Sequence, residues 1–279
     1  MKTGVLLESF RKPFAESVSM AAKLGLAGVQ IYANGVVNEK MSAAGIREVK
    51  SVTSGEGLEI SALCGDFGCR MFYFPDEMRK EIEREKRVME IAKKLGTNIV
   101  TTHIGVVPEN FSSREFESMH SVCKELAEFA DSIGGRFAVE TGPEPSKLLK
   151  KFLDTLNSKG VSVNLDPANL VMCIGENPAD AVYNLKDYIV HTHAKDGKML
   201  KKTDTRRLYT PDISHVEPAD FGEYIIELPL GEGSVPWDSY IAALKAIGYK
   251  GYLTIEREVG ENPAADIQTA AAFLKKYVK

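Results

Sequence analysis

Residues 136–196 read RFAVETGPEPSKLLKKFLDTLNSKGVSVNLDPANLVMCIGENPADAVYNLKDYIVHTHAKD, and the rhythm of this stretch decides the fold. Three short runs, RFAVE, VSVNL and YIVHTHA, carry aliphatic and β-branched residues at successive positions, as strands covered on both faces should. Helical patterns lie between them at about 146–158 and 178–186. Gly160 follows the first helix, where a left-handed C-terminal residue is wanted, and Pro178 falls in the first turn of the second, where a missing N–H costs nothing.

The same alternation extends in both directions. Candidate strands are 3–8, 28–33, 58–64, 98–104, 136–141, 161–166, 188–194 and 251–257. Helical patterns fill about 13–24, 42–54, 76–95, 112–133, 146–158, 178–186, 236–247 and 263–278. Gly25, Gly96 and Gly248 repeat the role read for Gly160, and Pro13, Pro236 and Pro263 that of Pro178. Strict strand–helix alternation implies a parallel α/β sheet, and eight units imply closure into a (β/α)8 TIM barrel, expected as one domain over 1–279. An open Rossmann-type sheet would want G-x-G-x-x-G after an early strand, and none occurs. One connection breaks the rhythm. The 195–235 stretch after strand seven is long enough to expect a flap over the catalytic face, with a short antiparallel excursion around 223–230.

Four polar residues close four of the apolar runs: Glu140, Asp166, His193 and Glu256. The first three are 26 and 27 residues apart, one strand–helix unit each, and Glu256 follows 63 residues later, one unit plus the long loop. They therefore fall on consecutive strands at the C-terminal face, where barrel enzymes build their sites. Three carboxylates and an imidazole brought together would repel one another without a cation between them. Such a donor set suits one divalent metal ion, Mn2+ first, with Mg2+, Co2+ and Zn2+ compatible. His191 and His193 are two apart and point the same way along a regular strand, so either is a candidate for the imidazole ligand.

Composition narrows the partners. A 44% apolar content supports a large core, and a net charge of −4 offers no surplus of positive charge for nucleic acid. No apolar run approaches the roughly 20 residues needed to span a bilayer, and MKTGVLLESF lacks the apolar core of a signal peptide. A cytoplasmic enzyme is expected. None of the four cysteines forms a C-x-x-C pair; Cys64 and Cys69 flank a strand-end loop and are expected near the pocket.

The strings VET, NLDPANL, HTHAKD, LGEGSVPW and TIERE resemble the xylose isomerase-like TIM-barrel superfamily of sugar and sugar-phosphate isomerases and epimerases. The resemblance covers essentially the whole chain and is strongest from residue 98 onward. It implies that Glu140, Asp166, His193 and Glu256 hold the metal, with Glu140 and Glu256 also moving the proton next to a substrate carbonyl through an enediolate. It further implies a small-molecule sugar or sugar phosphate as partner; relatives are often dimers or tetramers, and the sequence leaves the oligomeric state open. The chain departs from ketohexose 3-epimerases, which commonly carry a His where Asn169 stands, an Arg at Met199 and a second Glu at Ser146. The broad class stands, and that particular activity is disfavoured.

Expected substrate contacts are His103 in TTHIG, Lys195 beside the metal His, Asn169, Glu8 at the end of strand one and His215 in the flap. Asp196 is a candidate to touch substrate or orient His193, and Trp237 to anchor the flap by packing. Two chemistries share such a site: isomerisation, and dehydration of an inosose or dehydroshikimate, which begins with the same proton abstraction. A phosphodiester-cleaving endonuclease of the three-zinc kind would need more histidines than the five present, and a non-catalytic sugar-binding barrel would have no use for two acid–base glutamates.

Overall fold

In the computed structural model, which describes residues 1–278, eight parallel strands close into a barrel. They are β1 (Lys2–Leu6), β2 (Gly28–Tyr32), β3 (Glu59–Cys64), β4 (Ile99–Thr102), β5 (Arg136–Glu140), β6 (Val161–Leu165), β7 (Ile189–Ala194) and β10 (Tyr252–Ile255). Each pairs with its neighbours in sequence, and β10 closes on β1. The principal helices are α1 (Phe14–Lys23), α2 (Ala43–Gly55), α3 (Arg79–Leu95), α4 (Arg114–Ser132), α5 (Ser146–Leu156), α6 (Pro178–Leu185), α7 (Trp237–Ala246) and α8 (Pro263–Leu274). No helix among the described residues is long and apolar enough to cross a membrane.

Local chemistry explains the element ends. Ser42, Ser113, Asn177 and Asn262 each cap a helix by accepting a backbone N–H, which satisfies donors the first turn leaves free. Gly96 ends α3 in the left-handed region, as expected. Gly160 does not play that part. Asn157 takes the left-handed position after α5 (φ 46°), and Gly160 is needed because a Cβ there would collide with the Ala127 carbonyl of α4. The outward faces of the strands, with Val29, Ile31, Leu63, Val100, Phe137, Val139, Val163 and Leu253, pack under Ile82, Ile91, Met119, Leu126, Leu149 and Phe152 of the helices.

The long connection opens at once into a two-stranded antiparallel ribbon, β8 (Asp196–Met199) against β9 (Ile225–Leu228). The antiparallel excursion expected at 223–230 is thus 225–228, with a partner strand directly after β7. Asp196 ties this ribbon to the barrel. Its carboxylate accepts from the backbone N–H groups of Gly197, Gly231 and Val235 and from Trp237 Nε1, at 2.8–3.1 Å. Gly233 lies so close that any Cβ would strike Asp196 Oδ1. The string LGEGSVPW is thereby explained as the loop that wraps one buried carboxylate, and Asp196 neither faces the cavity nor touches His193.

One buried group strains the outer layer. Glu85 of α3 is fully buried, and neither carboxyl oxygen has a hydrogen-bond partner. Burial, reinforced by Asp66, pushes its carboxyl well above the usual range. The unfolded chain releases this proton near about 4.3, so above that pH the folded protein holds a proton that the unfolded chain does not, and stability declines as pH rises. Glu85→Gln should therefore raise the melting temperature more at pH 8 than at pH 5. An equal gain at both pH values, read by thermal denaturation, would show that Glu85 does not titrate on unfolding.

Candidate metal centre and active site

Glu140, Asp166, His193 and Glu256 each lie at or just past the C-terminal end of a barrel strand, and all four are buried. One donor atom from each lies within 4.8 Å of the others. His193 Nδ1 sits 3.4 Å from Glu140 Oε1, 3.4 Å from Asp166 Oδ2 and 3.2 Å from Glu256 Oε2. The other ring nitrogen, Nε2, is 2.9 Å from the Gln30 side-chain oxygen. That oxygen only accepts, so Nε2 carries a hydrogen and Nδ1 is the ring nitrogen that faces the three carboxylates.

Such an arrangement demands positive charge. Burial alone would push the His193 imidazole down, but Glu256 and Glu140 push it far up. His193 Nδ1 and Asp166 Oδ2 are buried with no hydrogen-bond partner. Asp166 shows how the chain divides its carboxylate: Oδ1 caps the turn that follows, accepting from Ala168 N at 2.7 Å and Asn169 N at 2.9 Å, and Oδ2 is left for the centre. Three hard oxygens and one imidazole nitrogen fit a divalent ion.

A layer of fully buried polar residues beneath holds these donors in place. His191 Nδ1 lies 2.8 Å from Asn164 Oδ1, while its Nε2 meets Thr254 Oγ1 at 3.0 Å and Ser61 Oγ at 3.3 Å. His191 therefore donates to Asn164 and accepts from Thr254, while Ser61 gives its hydroxyl hydrogen to the Val29 carbonyl, and burial holds His191 neutral, well below the usual histidine range. Asn164 Nδ2 in turn donates to Glu140 Oε2 at 3.1 Å. Gln30 is fixed by its own donation to Thr101 Oγ1 at 2.8 Å. Of the two histidines in HTH, His193 faces the centre and His191 braces it.

A profile for the xylose isomerase-like TIM barrel matches residues 18–277. The chain belongs to this family. Among curated proteins, it is 26% identical over 214 residues to the uncharacterized protein MJ1311 of Methanocaldococcus jannaschii, covering 71% of this chain and 62% of that protein. It is 24% identical over 183 residues to the inosose isomerase of Bacillus licheniformis, covering 64% and 60%. The matches thus span less than two thirds of these relatives' own length. Among solved structures, the probable 3-DHS dehydratase AsbF of Bacillus anthracis superposes with a TM-score of 0.76 at 20% identity, covering 99% of each chain, a likeness of fold.

In this xylose isomerase-like barrel, a cavity of about 530 Å3 adjoins Glu256 at the strand ends, within the range of about 300–1,000 Å3 usual for small-molecule sites. His103, Asn169 and Lys195 line it. His103 Nε2 lies 3.4 Å from Glu140 Oε1, and its Nδ1 lies 3.0 Å from Asp66 Oδ2. Burial would depress this imidazole, but Glu140 and Asp66 outweigh it and push it up to about 10. Asn169 Nδ2 donates to Glu140 Oε1 at 3.2 Å. Lys195 Nζ donates to Glu256 Oε2 at 3.0 Å, contacts Glu258 and lies 3.7 Å from Glu227.

Two expected contacts are not among the residues that line this cavity: Glu8, in the turn Leu7–Phe10, and His215, which ends the short helix Pro211–Ser214 in the left-handed region. Glu8 nevertheless lies near Tyr32 of the lining, and burial pushes its carboxyl up to about 7. Cys69 lines the cavity, whereas Cys64 is buried beside it. Sequence reasoning overlooked Gln30, Asn164, Asp66, Glu227 and Glu258. Gln30 and Asn164 did leave a signal: each is an amide within a buried strand.

His193→Ala should weaken Mn2+ binding by about 100-fold or more, whereas His191→Ala and Gln30→Leu, which disturb only the bracing layer, should cost about 10–100-fold. Calorimetric titration of chelator-treated protein ranks the three; His191→Ala costing more than His193→Ala would exchange their roles.

Proposed function

We propose that this barrel is a divalent-metal-dependent sugar or sugar-phosphate isomerase or epimerase that moves a proton next to a carbonyl. The observation that carries the proposal is a pairing repeated at two carboxylates beside His193 Nδ1. Glu140 has His103 against it, and Glu256 has Lys195 against it. Two carboxylates thus border the centre, each beside a cationic group able to hold or return a proton.

Burial would raise both carboxyls, but His103 and His193 hold Glu140 below its ordinary value, and His193 and Lys195 do the same for Glu256. Both are ionised near neutral pH, the form that holds a cation or takes up a proton, and the same neighbours make each a weaker base than a free carboxylate. A divalent ion held by Glu140, Asp166, His193 and Glu256 would supply Lewis acidity toward a carbonyl and its neighbouring hydroxyl. One glutamate takes the proton from the adjacent carbon, and the other returns it to the opposite face or the neighbouring carbon. Asn169 holds Glu140 for this transfer, and Lys195 orients Glu256.

Dehydration is the second reading, favoured by His103. Its ring is partly exposed to the cavity and backed by Asp66, the placement of an acid aimed at a leaving hydroxyl. A three-zinc endonuclease is disfavoured, because the described residues hold a single cluster of His, Asp and Glu with metal-ligand spacing.

Glu256→Gln should keep the fold and lose turnover by about 10²–10⁴-fold, as expected for removing a general acid–base group. Incubating Mn2+-loaded protein with ketoses, aldoses and their phosphates in D2O separates the chemistries. Deuterium entering one carbon beside the carbonyl supports isomerisation; loss of one water from an inosose or dehydroshikimate supports dehydration. Near-wild-type turnover in Glu256→Gln would remove Glu256 from the proton path.

A further inference from the structure

A second cavity, of about 630 Å3, opens on the same face. Three chain segments contribute to both cavities in turn. His103 and Gly105 line the first and Val106–Asn110 the second; Met172 lines the first and Ile174 the second; Leu208 and Tyr209 line the first and Thr203–Arg206 the second. The two cavities therefore lie side by side, with the loop after β4 contributing to both and the loop after β5 to the second.

The lining of the second cavity has a definite chemistry. Glu144, four residues beyond Glu140, is 2% exposed and lines it. Its Oε2 accepts from Val107 N at 3.1 Å, while Oε1 is buried without a hydrogen-bond partner. Burial pushes this carboxyl up to about 8, so near neutral pH it mostly keeps its proton. Around it stand Asn110, Thr203, Thr205 and Ser214, with apolar surface from Leu148 and Tyr73. The sole cation in the lining, Arg206, is held by Asp204, its Nε lying 3.0 Å from both carboxylate oxygens. Glu109, Glu115 and Asp204 add negative charge. Hydroxyls, amides, a protonated acid and apolar patches suit a polyhydroxylated neutral ligand, and the acidic rim repels phosphate.

We propose that this second cavity is a saccharide subsite. It takes a neutral glycosyl unit joined to the sugar whose carbonyl lies at the metal centre, so the substrate is a glycoside or oligosaccharide and not a free or phosphorylated monosaccharide. The proposal rests on the isomerase reading for the identity of the reacting unit, and extends it by the substrate class.

The test compares D-fructose with three glycosyl-fructoses of different linkage, lactulose, turanose and isomaltulose, by calorimetric binding to Mn2+-loaded protein. At least one disaccharide should bind about 10-fold or more tightly than fructose, the equivalent of one or two added hydrogen bonds. Leu148→Trp, which fills the second cavity from α5, should bring that ratio close to one. Glu144→Leu should lower the ratio several-fold, and Glu144→Gln, which keeps a neutral donor and acceptor, should preserve it. No disaccharide binding more tightly than fructose, no binding by any of the four sugars, or a preference that survives Leu148→Trp would each overturn the subsite. Deuterium exchange on the same samples reports separately on the isomerase reading: exchange without a disaccharide preference removes only the subsite, and a preference without exchange removes only the isomerase.

Discussion

The hydrogen bond from His193 Nε2 to Gln30 governs the rest of the site. At 2.9 Å it fixes a proton on one ring nitrogen and turns the other toward Glu140, Asp166 and Glu256. Four electron-rich atoms buried together are costly unless a positive charge joins them. A cluster so composed could hold a cation. Gln30 in turn is held by Thr101, so two residues each three strands from His193 decide which face of the imidazole points to the centre.

The barrel supplies the constraint that makes this possible. Parallel strands deliver their C-terminal ends to one face, and the polar layer of Gln30, Thr101, Asn164, His191 and Thr254 fills the interior just below. Two register shifts, between Val29 and Gln30 and between Val163 and Asn164, fall within this layer and set its amides opposite their partners. Above, Asp196 gathers the long connection onto the barrel. Glu227 of β9 then joins Arg257 at 2.7 Å and reaches Lys195, coupling the ribbon to the cation beside Glu256.

Much of this was legible in the chain because it rests on local periodicity. All eight barrel strands and the principal helices fall where alternation of apolar runs, Gly and Pro placed them, with ends shifted by a few residues. The four buried donors were legible for the same reason, since each interrupts a hydrophobic run at an equivalent point of its unit. What stayed hidden depends on direction and on distant pairing. Whether Glu8 and His215 reach the cavity depends on backbone angles in short turns, which residue type does not encode. Asp196 looked like a neighbour of chemistry, and only the fold reveals that its carboxylate serves loops 35 to 41 residues further on. The partners of Lys195 and His103, namely Glu258, Glu227 and Asp66, come from loops and a ribbon whose approach no periodicity foretells.

Anomalous diffraction from crystals grown with Mn2+ tests the central claim most directly. A single strong peak bounded by His193 Nδ1 and the carboxylates of Glu140, Asp166 and Glu256, with Nε2 still on Gln30, is the predicted result. No peak at that position, or a metal bound through His191 or through His193 Nε2, would contradict the account.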